Sequence, residues 1–117
     1  CLVLPSEWYE VRPMVIHEAC ARGKAVVSTR LGSIPEIVED GVTGLLVPPG
    51  DPLALGAALA ALIADPARAE AMGRAGRAMV SALYDPASHL KSMLDVYAQA
   101  ARRAGRTLPA SPAGVAA

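Results

Sequence analysis

Glu10 and Glu18 bracket the stretch EVRPMVIHE, with a loop proline and an apolar run between them. An ionised carboxylate only accepts hydrogen bonds, so each of the two suits a ligand rich in hydroxyls. The start of a helix suits the opposite partner. Its unpaired amides and partial positive charge favour phosphate, and the amides of Met14 and Val15 are the natural donors. Glu18 then lies about 6 Å further along the helix axis. A carboxylate that close to a bound phosphate repels it, unless the carboxylate meets ribose hydroxyls instead. Glu10, on the loop, faces the other side of the phosphate, where a transferred sugar would sit. A ligand with a ribose, a diphosphate and a sugar answers all three demands. A plainer reading also fits: a glutamate in the first turn of a helix complements the macrodipole, and a loop glutamate is simply solvated.

The surrounding sequence predicts the elements that hold these residues. Residues 1–4 (CLVL) read as a buried strand ended by Pro5-Ser6, and residues 5–13 as a loop. From Met14, the positions of Val15, Ile16, Ala19 and Cys20 have helical spacing that stops at Gly23. The β-branched run KAVVST, Lys24 to Thr29, predicts a second buried strand. Ser33 and Glu36 have capping-box spacing and predict a short helix. TGLLVPPG predicts a third strand. Asp51-Pro52, Asp65-Pro66 and Asp85-Pro86 each fit an N-cap followed by the first helical position. The apolar faces of the three helices are Leu55, Leu59, Leu62 and Ile63; Ala69, Met72, Gly76, Met79 and Leu83; and Leu90, Met93, Leu94, Tyr97 and Ala101. From about Gly105 the sequence loses its period, and residues 105–117 are expected to be a disordered tail. The order β-α-β-α-β-α-α-α predicts an α/β fold with a parallel sheet of three short strands and right-handed crossovers, followed by C-terminal helices. In such sheets ligands bind beyond the carboxyl ends of the strands, which is where the Glu10–Glu18 stretch lies.

Composition excludes several classes. The chain has 117 residues and a formal net charge of zero, with 3% aromatic residues. A nucleic-acid partner would need a basic surplus or stacking platforms, so none is expected. At 53% apolar residues a core can form. The longest apolar stretch, Pro52 to Ala64, is too short to cross a bilayer. Cys1 and Cys20 lack a CxxC arrangement and are expected to be free, buried thiols in a reducing compartment. The expected location is the cytoplasm or the inner face of a membrane. ARGKA lacks the leading glycine and the Ser/Thr of a P-loop, and no G-x-G-x-x-G follows a strand, which leaves a nicotinamide site unsupported. His17 and His89 have no partners at metal-ligand spacing, so neither a metal nor a cofactor is expected. His17 is expected to be packed or capping. Glu39-Asp40 reads as a solvated turn, and Arg12 as a loop cation able to reach a phosphate. The chain opens on CLVLPS without an initiator Met, so it is expected to be part of a larger protein.

The run PSEWYEVRPMVIHEACARGKAVVSTRLGSIPEIVEDGVTGLLVPPGDP resembles the sugar-nucleotide half of the retaining glycosyltransferases known as glycosyl transferases group 1. The resemblance rests on E-x7-E (Glu10, Glu18), on Gly32, Pro35, Glu36 and Val38, and on Asp40, Gly41, Gly44, Leu45, Pro48 and Asp51, in the family's order. It covers about residues 3–104 and implies two Rossmann-like domains with a cleft between them, residues 1–104 being the C-terminal portion of the nucleotide-sugar-binding domain. It also implies that Glu18 holds the ribose, that Glu10 contacts the donor sugar as the catalytic carboxylate, and that the backbone near Pro13, Met14 and Val15 faces the diphosphate and the sugar; Arg12, by its place on the loop, is a further candidate for the phosphate. Val11-Arg12-Pro13 replaces the glycine-rich run that many members carry. The expected partners are a nucleotide-diphosphate sugar donor, an acceptor whose identity the sequence leaves open, and the missing N-terminal domain of the same protein. The open edge of the first strand is expected to make the isolated piece self-associate. Alternatives are a non-catalytic nucleotide-binding remnant, a sugar-nucleotide epimerase, and, most distantly, glycoside hydrolysis by the carboxylate pair.

Overall fold

The computed structural model describes residues 1–106. The part of the expected disordered tail at residues 107–117 lies outside the described residues. Eight elements follow in the predicted order: β1 (Leu2–Leu4), α1 (Met14–Ala21), β2 (Val26–Thr29), α2 (Ile34–Ile37), β3 (Gly44–Val47), α3 (Pro52–Ala64), α4 (Pro66–Leu83) and α5 (Pro86–Arg103). The chain divides into two units, Cys1–Leu83 and a second from Tyr84 onward.

The three strands form one parallel sheet in the order β1-β2-β3, with Leu2 opposite Val26 and Val27 opposite Leu45. β2 lies between the other two and is buried along its whole length. Its alternating side chains serve two cores. Val26 joins Ile16 and Cys20 of α1 and Ile34 and Ile37 of α2 in one cluster. Val27 joins Ala25, Leu62 of α3 and Met72 of α4 in the other. Each fully buried Val or Ile contributes about 1.5–3 kcal/mol of transfer free energy. α1 is therefore pinned against the sheet by Ile16 and Cys20, both with 0% exposure. Burial also pushes the Cys20 thiol pKa up.

Both ends of α1 follow from local sequence. Pro13 sits at its N-cap with φ −70°, a value the pyrrolidine ring enforces. The other end closes in a Schellman motif: the Gly23 amide donates to the Cys20 carbonyl at 2.8 Å and the Lys24 amide to the Ala19 carbonyl at 2.9 Å. Gly23 takes φ +66° there, the left-handed conformation that favours glycine. The three Asp-Pro pairs all cap as expected. Asp51 accepts from the Ala54 amide at 2.9 Å, Asp65 from the Arg68 amide at 3.0 Å and Asp85 from the Ser88 amide at 2.8 Å.

The apolar faces of the three long helices are only partly buried: Ile63 and Leu83 are 78% and 66% exposed, and α5 has no buried residue among the described ones. Two local expectations are corrected. Cys1 is exposed, and only Cys20 is buried. The Glu39-Asp40 turn is not merely solvated: Asp40 pairs with Arg30 and accepts from the Leu46 amide at 2.9 Å, tying the turn to β3.

Candidate functional site

The loop from Pro5 to Pro13 leaves the carboxyl end of β1 and runs to the start of α1. Its first part is tied down by the carboxyl end of β2. Ser28 Oγ donates to the Leu4 carbonyl at 2.7 Å, and Thr29 Oγ1 donates to the Ser6 carbonyl at 2.8 Å. Both hydroxyls belong to buried residues. One binds the last carbonyl of β1 and the other the Ser6 carbonyl, past the end of the strand, so the loop departs from β1 along a fixed path.

Glu10 is half-buried on this loop. Its Oε1 accepts from Ser6 Oγ at 3.0 Å and from Trp8 Nε1 at 3.2 Å. Its backbone carbonyl accepts twice from Ser33, from the amide at 3.1 Å and from Oγ at 3.0 Å. The neighbouring Gly32 has φ +58°, and a Cβ there would lie 2.7 Å from the Glu10 carbonyl oxygen and 2.9 Å from the Glu10 nitrogen. Only glycine fits that approach. The capping-box expectation for Ser33 is thereby corrected. Ser33 has helical φ and ψ and makes no side-chain cap; its hydroxyl goes to Glu10 instead.

The remaining predicted residues are placed as follows. Arg12 is exposed on the loop and Pro13 is buried beneath it. Met14 and Val15 open α1 and are 61% and 41% exposed. No side chain caps this helix, and its first turn holds no acidic residue, so its positive end is not neutralised by its own sequence. Glu18 is exposed and lies beyond the first turn, which removes the plain macrodipole reading. It lines a hollow of ≈ 250 Å³ with Val15, Ala19, Arg22 and Lys24, and with Cys1 and Leu2. Arg22 Nη1 donates to the Glu18 carbonyl at 3.3 Å. His17 is buried, in keeping with a packing role.

The structure thus brings Glu10 together with Ser6, Trp8, Gly32 and Ser33, and Glu18 with Val15, Arg22 and Lys24. The two carboxylates have separate surroundings, Glu10 on the loop before α1 and Glu18 within α1 beside a hollow that Cys1 and Leu2 also line. Ser6, Thr29, Gly32 and Ser33 were not singled out as site residues from sequence. Gly32 was legible only as part of a G-x-P-E pattern; the partners of the Thr29 and Ser33 hydroxyls are each 23 residues away, while Ser6 meets Glu10 four residues on within the same loop.

This arrangement can be set beside other proteins. A family model described as Glycosyl transferases group 1 matches residues 1–79. The chain is 42% identical over 101 residues to alpha-maltose-1-phosphate synthase of Mycobacterium tuberculosis, covering 81% of this chain and 26% of that protein. The sucrose-phosphate synthase structure from Thermosynechococcus elongatus superposes with a TM-score of 0.78 at 39% identity, covering 84% of this chain and 24% of that one. The Anabaena HepE structure in complex with UDP-glucose superposes with a TM-score of 0.78 at 28% identity, covering 84% and 27% respectively. The chain spans about a quarter of the length of these relatives. With that family model matching residues 1–79, well over half of its length, the chain belongs to the Glycosyl transferases group 1 family.

Proposed function

We propose that this chain supplies part of the donor site of a retaining glycosyltransferase, which moves a sugar from a nucleotide-diphosphate sugar to an acceptor hydroxyl. Residues 1–104 form the C-terminal portion of its nucleotide-sugar-binding domain, and another domain of the same protein completes the cleft. The observation that carries the reading is the pairing of an uncapped α1 N-terminus with a fixed carboxylate before it and an exposed one after it. The amides of Met14 and Val15, with Arg12 nearby on the loop, stabilise the departing diphosphate, where negative charge develops as the glycosidic bond breaks. Glu18 accepts hydrogen bonds from the ribose hydroxyls. Glu10 orients the transferred sugar and supports the positive charge that builds on it. The HepE structure, solved in complex with UDP-glucose, supports a nucleotide-sugar ligand for this fold. The isolated 117-residue piece has only part of this cleft and an open β1 edge, so it self-associates and does not transfer sugar by itself.

The test is a transfer assay on the full-length protein with a panel of nucleotide-diphosphate sugars, the anomeric configuration of the product being read by NMR. Transfer with the donor's configuration retained is expected. Sugar release that does not depend on a nucleotide, or a product of inverted configuration, would overturn the proposal.

A further inference from the structure

We propose that Ser6 and Ser33 are positioning residues that aim the Glu10 carboxylate, an inference that rests on the reading of Glu10 as the carboxylate facing the transferred sugar. Aiming a loop carboxylate requires control of two things, the place of its backbone and the direction of its side chain. The structure assigns one serine to each.

Ser33 controls the backbone. Its amide and its hydroxyl both end on the Glu10 carbonyl, at 3.1 and 3.0 Å, across 23 residues of sequence. Gly32 makes this convergence sterically feasible, because any Cβ at that position would enter the Glu10 peptide at 2.7 Å. The approach is backbone against backbone, so no side-chain rotation could relieve it. Ser6 controls the carboxylate. Its hydroxyl meets Oε1 at 3.0 Å, and the indole Nε1 of Trp8 meets the same oxygen at 3.2 Å. A carboxylate held through one oxygen presents the other along a fixed direction. Ser6 itself is only 7% exposed, and its own carbonyl is held by Thr29 at 2.8 Å. Trp8, by contrast, is 72% exposed, which makes it the weaker of the two donors as an anchor.

A chain of hydrogen bonds therefore runs from the buried end of β2, through Ser6, to the Glu10 side chain, and a second tie from the β2–α2 turn fixes the Glu10 main chain. Neither serine needs to touch substrate. Their effect is on the geometry of a group that does, and reactions are steep in that geometry: a misplacement of about 1 Å can cost about a hundredfold in rate.

The experiment uses the full-length protein and compares Ser6→Ala, Ser33→Ala and Ser33→Thr, each alone and in a Glu10→Ala background. The readouts are kcat for sugar transfer and the Kd of the nucleoside diphosphate. Ser6→Ala and Ser33→Ala are expected to lower kcat about ten- to a hundredfold while the Kd stays within about twofold, and Ser33→Thr, which keeps the hydroxyl, is expected to restore kcat. In the Glu10→Ala background the serine substitutions are expected to have little further effect, because no carboxylate remains to be aimed. Unchanged kcat in both single serine variants, beside a crippled Glu10→Ala, would overturn the positioning role alone. So would a fall of the same size with and without the Glu10 carboxylate, which marks a merely structural role. Wild-type turnover in Glu10→Ala would remove the underlying reading of Glu10 and this inference with it.

Discussion

Gly73, in the middle of α4, lies against the carbonyl of Gly23 at the end of α1; a Cβ on Gly73 would come within 2.0 Å of that oxygen and 2.6 Å of its carbon. Three residues on, a Cβ on Gly76 would meet the Cys20 sulfur at 3.1 Å. α4 therefore seats directly on the last turn of α1, backbone on backbone. That contact, together with the Schellman closure, sets where the other end of α1 points.

Gly73→Ala is expected to destabilise the full-length protein by about 1–3 kcal/mol, the usual cost of overpacking a close-packed site. The neighbour that would have to move is main chain, so relaxation is restricted. Urea unfolding followed by tryptophan fluorescence measures it. A midpoint equal to that of the wild type would show that α4 does not seat α1 in this way.

Glu18→Ala is expected to weaken nucleoside-diphosphate binding by about 1.5–3 kcal/mol, as for lost hydrogen bonds to a charged group. Titration calorimetry on the full-length protein decides it. Because Glu18 is exposed and its side chain lines a surface hollow, stability should change little. Unaltered affinity would remove the ribose role.

The start of α5 offers a pH test. The Asp85 pKa lies below its ordinary value of 3.8, first because the carboxylate accepts the Ser88 amide. An acid with a depressed folded pKa contributes stability at pH above its unfolded value and loses it as pH falls through the folded value. The cap therefore holds at neutral pH and fails only below about pH 3.8. Backbone chemical shifts of Ala87 and Ser88 are expected to lose helical character through that range. Asp85→Ala should show the same loss already at neutral pH, so that the two proteins converge in acid. A difference between them that persists to the lowest pH would contradict the cap.

What could be read from sequence divides along one physical line. Features set by neighbours in the chain were legible: the three Asp-Pro caps, the Gly23 stop, and the β-branched run of β2. The parallel sheet followed from the alternation of strands and helices; its order, with β2 in the middle, did not. Features set by distant partners were not. Ser33 and Glu36 have capping-box spacing, yet the Ser33 hydroxyl finds the Glu10 carbonyl instead, because the loop after β1 carries that acceptor beside Ser33, where it takes the Ser33 amide as well. Asp40 reads as a solvated turn until Arg30 and the Leu46 amide are brought beside it. The face of α5 is periodic, and period reports a capacity to pack: Leu90, Met93, Leu94 and Tyr97 remain exposed among the described residues. For the candidate site, E-x7-E singled out Glu10 and Glu18 as residues to test, while the tie from Ser33 to the Glu10 carbonyl, across 23 residues, became visible only in three dimensions.

In the proposed site the two glutamates divide the labour, Glu10 on the transferred sugar and Glu18 on the ribose. The most direct test of this division is Glu10→Gln in the full-length protein, with turnover and nucleoside-diphosphate affinity measured side by side. Gln keeps the size and the hydrogen-bonding carbonyl but removes the charge. The predicted result is a fall in kcat of about a hundredfold or more, as for loss of one preorganised electrostatic contact, with affinity for the nucleoside diphosphate unchanged within about twofold. Equal losses in turnover and affinity, or turnover retained at the wild-type level, would contradict it.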